Sequence, residues 1–260
     1  MNDMKFSTTI LLCLFCSICG YGSDIKKKAT IEETAQGRVL TKWLGKDQYI
    51  DFNEYPELKD IRIIGARAFE ENSNVEVVIL PESVEIIENR AFNTCKNLVR
   101  VDLPQKLKTI GNSAFNMDRK LQISKLPSDL EAIGEWAFWD CSLISIEKIP
   151  EKVRFIGKQA FAGCDGIARM YLPDGIEYIF ERTFVGCHNL SFIRLPRKLK
   201  KIGVYAFASC TSLIGLDIPS TIEEIECYAF INCKSLISIR NNSNMEIEQC
   251  VFEGCDNLHL

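Results

Sequence analysis

Asn97-Leu-Val-Arg-Val-Asp-Leu-Pro-Gln-Lys-Leu-Lys-Thr-Ile-Gly-Asn-Ser-Ala-Phe115 is the stretch on which the fold is decided. Leu98, Val101 and Leu103 fall three and then two residues apart. The second half of that run alternates, as a short strand with one buried face must. Pro104 ends it, because proline has no N–H to give to a ladder. Leu107 and Ile110 then turn inward, Gly111 makes a tight corner and Ala114-Phe115 closes the segment. Read alone, this is one strand, one turn and one buried ring.

It is not alone. Phenylalanine recurs every 23 residues at Phe69, Phe92, Phe115, Phe138, Phe161, Phe184, Phe207 and Phe230, and then after 22 at Phe252. Proline keeps the same step at Pro81, Pro104, Pro127, Pro150, Pro173, Pro196 and Pro219. A fixed period of this size means a stacked solenoid, in which each unit buries its apolar face only against its neighbours. The L-x-x-L-x-L spacing is that of a leucine-rich repeat. The fold class is therefore a β-rich α/β solenoid: a right-handed leucine-rich repeat of 23-residue units. One parallel sheet is expected on the concave face, with neighbouring strands roughly 4.8 Å apart, and turns or short helical segments elsewhere. Residues 1–22 are set apart as a leader, 23–60 as an N-terminal cap and first half-unit, and 61–260 as the solenoid.

The units read F-x-x-C-x-x-L-x-x-I-x-L-P-x-x-L-x-x-I-G-x-x-A-F, most plainly from Phe161 to Phe184 and from Phe184 to Phe207. This closely resembles the BspA-type leucine-rich repeat family, and Val39-Leu-Thr-Lys-Trp43-Leu-Gly45 looks like the half-unit that opens such domains. The resemblance covers about residues 38–260. It implies a surface or secreted microbial protein that binds host matrix proteins or other cells. It assigns no individual residue, because the binding surfaces of solenoids lie in the variable positions.

Composition agrees with an ordered globular chain: 47% hydrophobic and 25% charged residues, with a net charge of −4. That charge argues against salt-driven binding to nucleic acid. Two histidines, His188 and His259, argue against a His-built metal site, and no metal or cofactor is expected. The first 22 residues read as a secretory signal peptide: Lys5, an apolar run from Ile10 to Cys19, then small residues at Gly20, Gly22 and Ser23. The run is too short for a comfortable membrane span. Cys19 is a candidate for lipidation, although Ile18 before it is larger than such signals prefer. The expected location is outside the cell or on its surface.

Three residues after successive phenylalanines come Asn72, Cys95, Asp118, Cys141, Cys164, Cys187, Cys210, Cys233 and Cys255. Disulfides or a metal string would be the functional reading of this column. Like-directed side chains about 5 Å apart suit a disulfide poorly, so buried free thiols are expected. Cys227 and Cys250 lie outside the column, and a disulfide between them stays open.

No residue set meets the needs of an enzyme. Gly163 to Gly166 lacks the spacing of a phosphate loop, and Cys187 with His188 is the only imaginable dyad. Recognition is the better reading. The outward strand positions place Arg169, Tyr171, Phe192 and Arg194 in one block, with Lys125 and Lys148 on one side and Arg100 further along. Arginine and aromatic side chains are enriched at interface hot spots, and a protein ligand with carboxylates is the implied partner. Leu121 to Leu126 and Leu143 to Ile149 carry an apolar residue one place early, so that Ser124 and Glu147 fall where Val101 would point inward; a local bulge is expected there. Trp136 and Trp139 flank Phe138 as a possible second contact patch away from the sheet face. Asp24 to Lys28 is expected to be loose, and the C-terminal edge, after Asn241 to Asn244, is a candidate for pairing with another copy. An envelope protein that self-associates or scaffolds others is the alternative to adhesion.

Overall fold

The computed structural model describes residues 25–259. The leader, including Cys19, lies outside the described residues. From about Ile61 onward the chain winds as a β-solenoid of about nine turns, with parallel pairing between successive units and almost no helix. Its interior is two stacks of side chains. The phenylalanine rings lie face to face from Phe69 to Phe230, with centroids 4.8 to 5.5 Å apart and planes within 11° of parallel. Phe252 continues the stack at 5.7 Å. Each ring removes its whole apolar area from water, and adjacent rings are held by dispersion along the axis.

The cysteine column runs beside it. All seven described column thiols are free and buried. Each points its Sγ at the carbonyl of the phenylalanine that opens the preceding unit: Cys95 to Phe69 at 3.0 Å, Cys164 to Phe138 at 3.1 Å, Cys210 to Phe184 at 3.2 Å. The thiol thus satisfies a turn carbonyl that has no water to turn to. Where Asp118 interrupts the column it is fully buried, and its Oδ1 accepts the Cys95 N–H at 2.6 Å. Its Oδ2 has no hydrogen-bond partner, and burial pushes the carboxyl well above its usual range.

Most units carry two strands. The first, at Val77–Ile79, Arg100–Asp102, Arg169–Tyr171, Phe192–Arg194, Gly215–Ile218 and Ser238–Asn241, is the one read from the spacing. The second is the turn segment around Ile110: Ile86–Ile87, Thr109–Ile110, Ala132–Ile133 and Phe155–Ile156 pair in register, one residue inward and one outward. A second ladder therefore runs along the solenoid, and the sheet on the first face comes in pieces. The first ladder has no named strand between Asp102 and Arg169; there Ile123 and Ile146 point inward while Ser124 and Glu147 face solvent, as the early apolar residues require. The bridge Lys148↔Tyr171 and single hydrogen bonds such as Gln122 N–H to the Val99 carbonyl and Ser145 N–H to the Ile123 carbonyl, both 2.9 Å, remain of it.

The first end is closed by an antiparallel hairpin, Ala29–Thr34 with Gly37–Trp43, whose second strand pairs in parallel with Ile61–Ile64. Trp43 stacks on Phe69 at 5.9 Å, so the ring column passes into the cap. Residues Ile25–Lys28, expected to be loose, form a single helical turn, because Ile25 is buried and Lys28 is ion-paired with Asp47 at 2.6 Å. Cys227 and Cys250 are joined in a disulfide, with Cα atoms 5.0 Å apart. Among the described residues no helix is long and apolar enough to cross a membrane.

Candidate binding surface

Strands Arg169–Tyr171 and Phe192–Arg194 pair in parallel, which sets Arg169 beside Phe192 and Tyr171 beside Arg194. Three of the four outward side chains, Arg169, Tyr171 and Phe192, interlock. The Arg169 guanidinium lies 4.9 Å from the Phe192 ring centroid and 5.8 Å from that of Tyr171, and its Nη2 donates to the Tyr171 hydroxyl at 2.7 Å. Tyr171 and Phe192 are 5.4 Å apart at 49°. Glu147 approaches Arg169 at 3.5 Å and Asp174 approaches Arg194 at 3.6 Å. The cation is thus held over two rings with its Nε toward Glu147, a pre-ordered arrangement with little side-chain entropy left to lose.

Next to this block the ladder opens. Phe192–Arg194 and Gly215–Ile218 belong to separate two-stranded sheets, and a groove of about 710 Å³ lies over the gap. Its floor is Gly215, whose missing side chain leaves the space between Phe192 and Ser238. A Cβ built there would meet only Ser238, its Oγ at 3.2 Å and its carbonyl at 3.7 Å. Ile214, 53% exposed, forms an apolar wall; Arg169, Arg194 and Arg240 line the rim against one carboxylate, Asp217. In the sequence Gly215 is one more outward strand position; its empty place shows only between Phe192 and Ser238 in the fold.

Of the other expected residues, only Lys148 borders this site, through its bridge with Tyr171. Arg100 is tied to Asp102 by two hydrogen bonds of 2.5 and 2.6 Å, which raise its pKa, and it lies three units away. Lys148 pairs with Glu151 at 3.1 Å, and Lys125 and Lys148 line a separate shallow pocket where the ladder is lost. The imagined dyad is not assembled: Cys187 is buried against the Phe161 carbonyl with its pKa pushed up to about 12 by desolvation, whereas the exposed His188 pairs with Asp165 at 2.8 Å. Trp136 is exposed and Trp139 half-buried, both in the turn beside the second ladder.

That second ladder holds aromatic residues the spacing did not flag. Phe155 and Tyr178 stand outward from it, 41% and 46% exposed. Phe180 packs on both, at 5.5 and 6.3 Å. Phe180 occupies the position that is Gly111, Gly134, Gly157 and Gly203 in other units. Those glycines sit where a Cβ would come within 2.5 to 2.8 Å of the neighbouring unit's backbone. With a ring there the two units part, and Phe155–Ile156 no longer pairs with Tyr178–Ile179. Thr183, replacing the usual alanine, donates its hydroxyl to the Phe180 carbonyl at 2.8 Å and steadies the altered turn.

Comparison with known proteins agrees with this architecture. The model of the BspA type Leucine rich repeat region matches in six copies over residues 54–167 and 147–259. The chain belongs to the BspA-type leucine-rich repeat family. A leucine-rich repeat protein of T. pallidum is 30% identical to this BspA-type chain, with a TM-score of 0.65, covering 72% of this chain and 88% of that one. One from Bacteroides ovatus is 25% identical, with a TM-score of 0.68, covering 89% and 68% respectively. No curated protein matches the chain. Membership makes this a repeat module of the protein-interaction type, in a family that offers no sign of catalysis.

Proposed function

We propose that this protein is a non-catalytic adhesion module, exported and displayed at the cell surface or secreted, that takes a protein ligand on its first ladder. The observation that carries the reading is the groove over Gly215 beside the interlocked Arg169, Tyr171 and Phe192, with Arg194 next to Tyr171. Apolar walls bind a buried anchor, and Arg169, Arg194 and Arg240, exposed and each in only a loose ion pair of 3.5 to 3.8 Å, offer guanidinium donors to an Asp, Glu or chain terminus of the partner. Host matrix or cell-surface proteins are the partner class, and Trp136 with Trp139 is a subsidiary contact. The test is binding of the purified protein to immobilised matrix and cell-surface proteins. Arg169→Ala with Phe192→Ala is expected to weaken capture by at least about 30-fold, on the order of 2 kcal/mol for a lost hot spot. Gly215→Leu, which fills the groove without touching the arginines, is expected to do the same. Capture unchanged by both would place the contact elsewhere.

The alternative reading is an envelope scaffold, tethered through Cys19 and associating by its C-terminal edge. It is favoured by Ser238–Asn241, which among the described residues pairs on one side only, with Gly215–Ile218. Sedimentation at increasing concentration separates the two: self-association insensitive to the Arg169 and Phe192 changes supports the scaffold.

A further inference from the structure

Cys227 and Cys250 stand apart from every other described cysteine: they are partly exposed, joined to each other, and accompanied by a carboxylate. Glu248 Oε2 lies 3.8 Å from the Cys227 sulfur and 3.5 Å from that of Cys250. These separations have a chemical meaning. In a tetrahedral zinc site with Zn–S near 2.3 Å and Zn–O near 2.0 Å, a sulfur and an oxygen ligand sit about 3.5 Å apart and two sulfurs about 3.8 Å apart. The carboxylate oxygen is already at that spacing from both sulfurs. Only the sulfur–sulfur distance, now a covalent bond, departs from it.

We propose that Cys227, Cys250 and Glu248 form a two-state site: a disulfide when oxidised, and a three-ligand zinc site when reduced. Reduction by a phosphine gives two thiols, which take the two hydrogens of one water, and the phosphine oxide, which takes its oxygen. A cellular dithiol does the same work by passing two hydrogens and becoming a disulfide itself. Zinc then displaces both thiol protons, so that binding weakens as pH falls. With Cα atoms 5.0 Å apart, each sulfur needs only a rotation about its Cα–Cβ bond to move outward. The fourth position is left open to water or to a donor from a partner. The seven column thiols do not compete, being buried against phenylalanine carbonyls. In either state the last two units stay stapled across the turn, where Tyr228 N–H also donates to the Cys250 carbonyl at 2.9 Å.

The test is titration of cobalt into the full-length protein in phosphine, with zinc as competitor. Reduced wild type is expected to take up cobalt with a thiolate charge-transfer band and tetrahedral ligand-field bands, lost on adding zinc and absent without reductant. Cys227→Ser and Cys250→Ser should each lose those bands, and thereby discount metal held by the cysteines of the leader. Glu248→Gln, a surface change that leaves both thiols and the fold in place, should bind at least about 10-fold more weakly. Zinc should raise the melting temperature of reduced wild type and not that of Cys227→Ser. Bands of equal strength in Cys227→Ser, or none in reduced wild type that is folded by circular dichroism, overturn the site. Unchanged affinity in Glu248→Gln overturns the three-ligand assignment.

Discussion

The two ladders break in neighbouring places for unrelated reasons, and the interior ignores both. On the first face the strand is lost around Ser124 and Glu147 because an apolar residue arrives one place early and takes the inward position. On the second face pairing stops between Ile156 and Ile179 because Phe180 stands where neighbouring units have glycine. Through both breaks the rings of Phe115, Phe138, Phe161 and Phe184 keep centroid spacings of 5.4 to 5.5 Å. The solenoid is held by its side-chain columns. The ladders are free to vary, and there the chain builds its grooves and aromatic clusters.

This contrast is most severely tested in the ring column. Phe161→Ala removes a fully buried ring between two stacked neighbours, and is expected to cost about 3–5 kcal/mol in urea unfolding. A loss below about 1 kcal/mol would mean that the ladders, not the rings, carry the fold.

Asp118 is the one fully buried carboxyl among the described residues, and pH reads it. Its folded pKa is raised by burial, so between the unfolded value of about 3.9 and the folded one the native state holds more protons. Its contribution to stability is therefore fully present below about pH 4 and is lost as pH rises through the folded pKa. Asp118→Asn keeps an acceptor for the Cys95 N–H without the charge. It is expected to be about 1–3 kcal/mol more stable than wild type at pH 7, with the difference shrinking toward pH 4. A pH-independent difference would show that Asp118 titrates alike in both states.

The smallest effect belongs to the ladder. Phe180→Gly should let Tyr178–Ile179 pair again with Phe155–Ile156, seen as slower amide exchange at residues 178–180. Overall stability should change by less than about 1 kcal/mol, because regained ladder bonds offset the half-buried ring. Unchanged exchange would assign the gap to some cause other than the ring.

What the sequence revealed follows the same division. The columns were legible because units stacked in register must repeat the residues that meet: Phe marks every turn, and Pro and Cys mark most of them. The shifted strands were legible too, since Ile123 and Ile146 disturb an alternation already in view. The second ladder was not, because a two-residue strand such as Thr109–Ile110 offers one inward residue and no alternation to detect. Phe180 was overlooked because only the outward positions of the first strand were read in columns; the glycine position four residues before each phenylalanine, read likewise, exposes it. The Arg169 block was assembled correctly from its columns. The groove beside it was not seen, because an empty place at Gly215 has meaning only once its neighbours have volume.

The stack of like rings also bears on how such a chain changes length over generations. Most interior interfaces between units repeat the same ring and thiol contacts, so duplicating or deleting 23 residues joins a ring to a ring and, outside the Asp118 unit, a thiol to a carbonyl, with no new core to invent. Copy number can drift while the fold stands still.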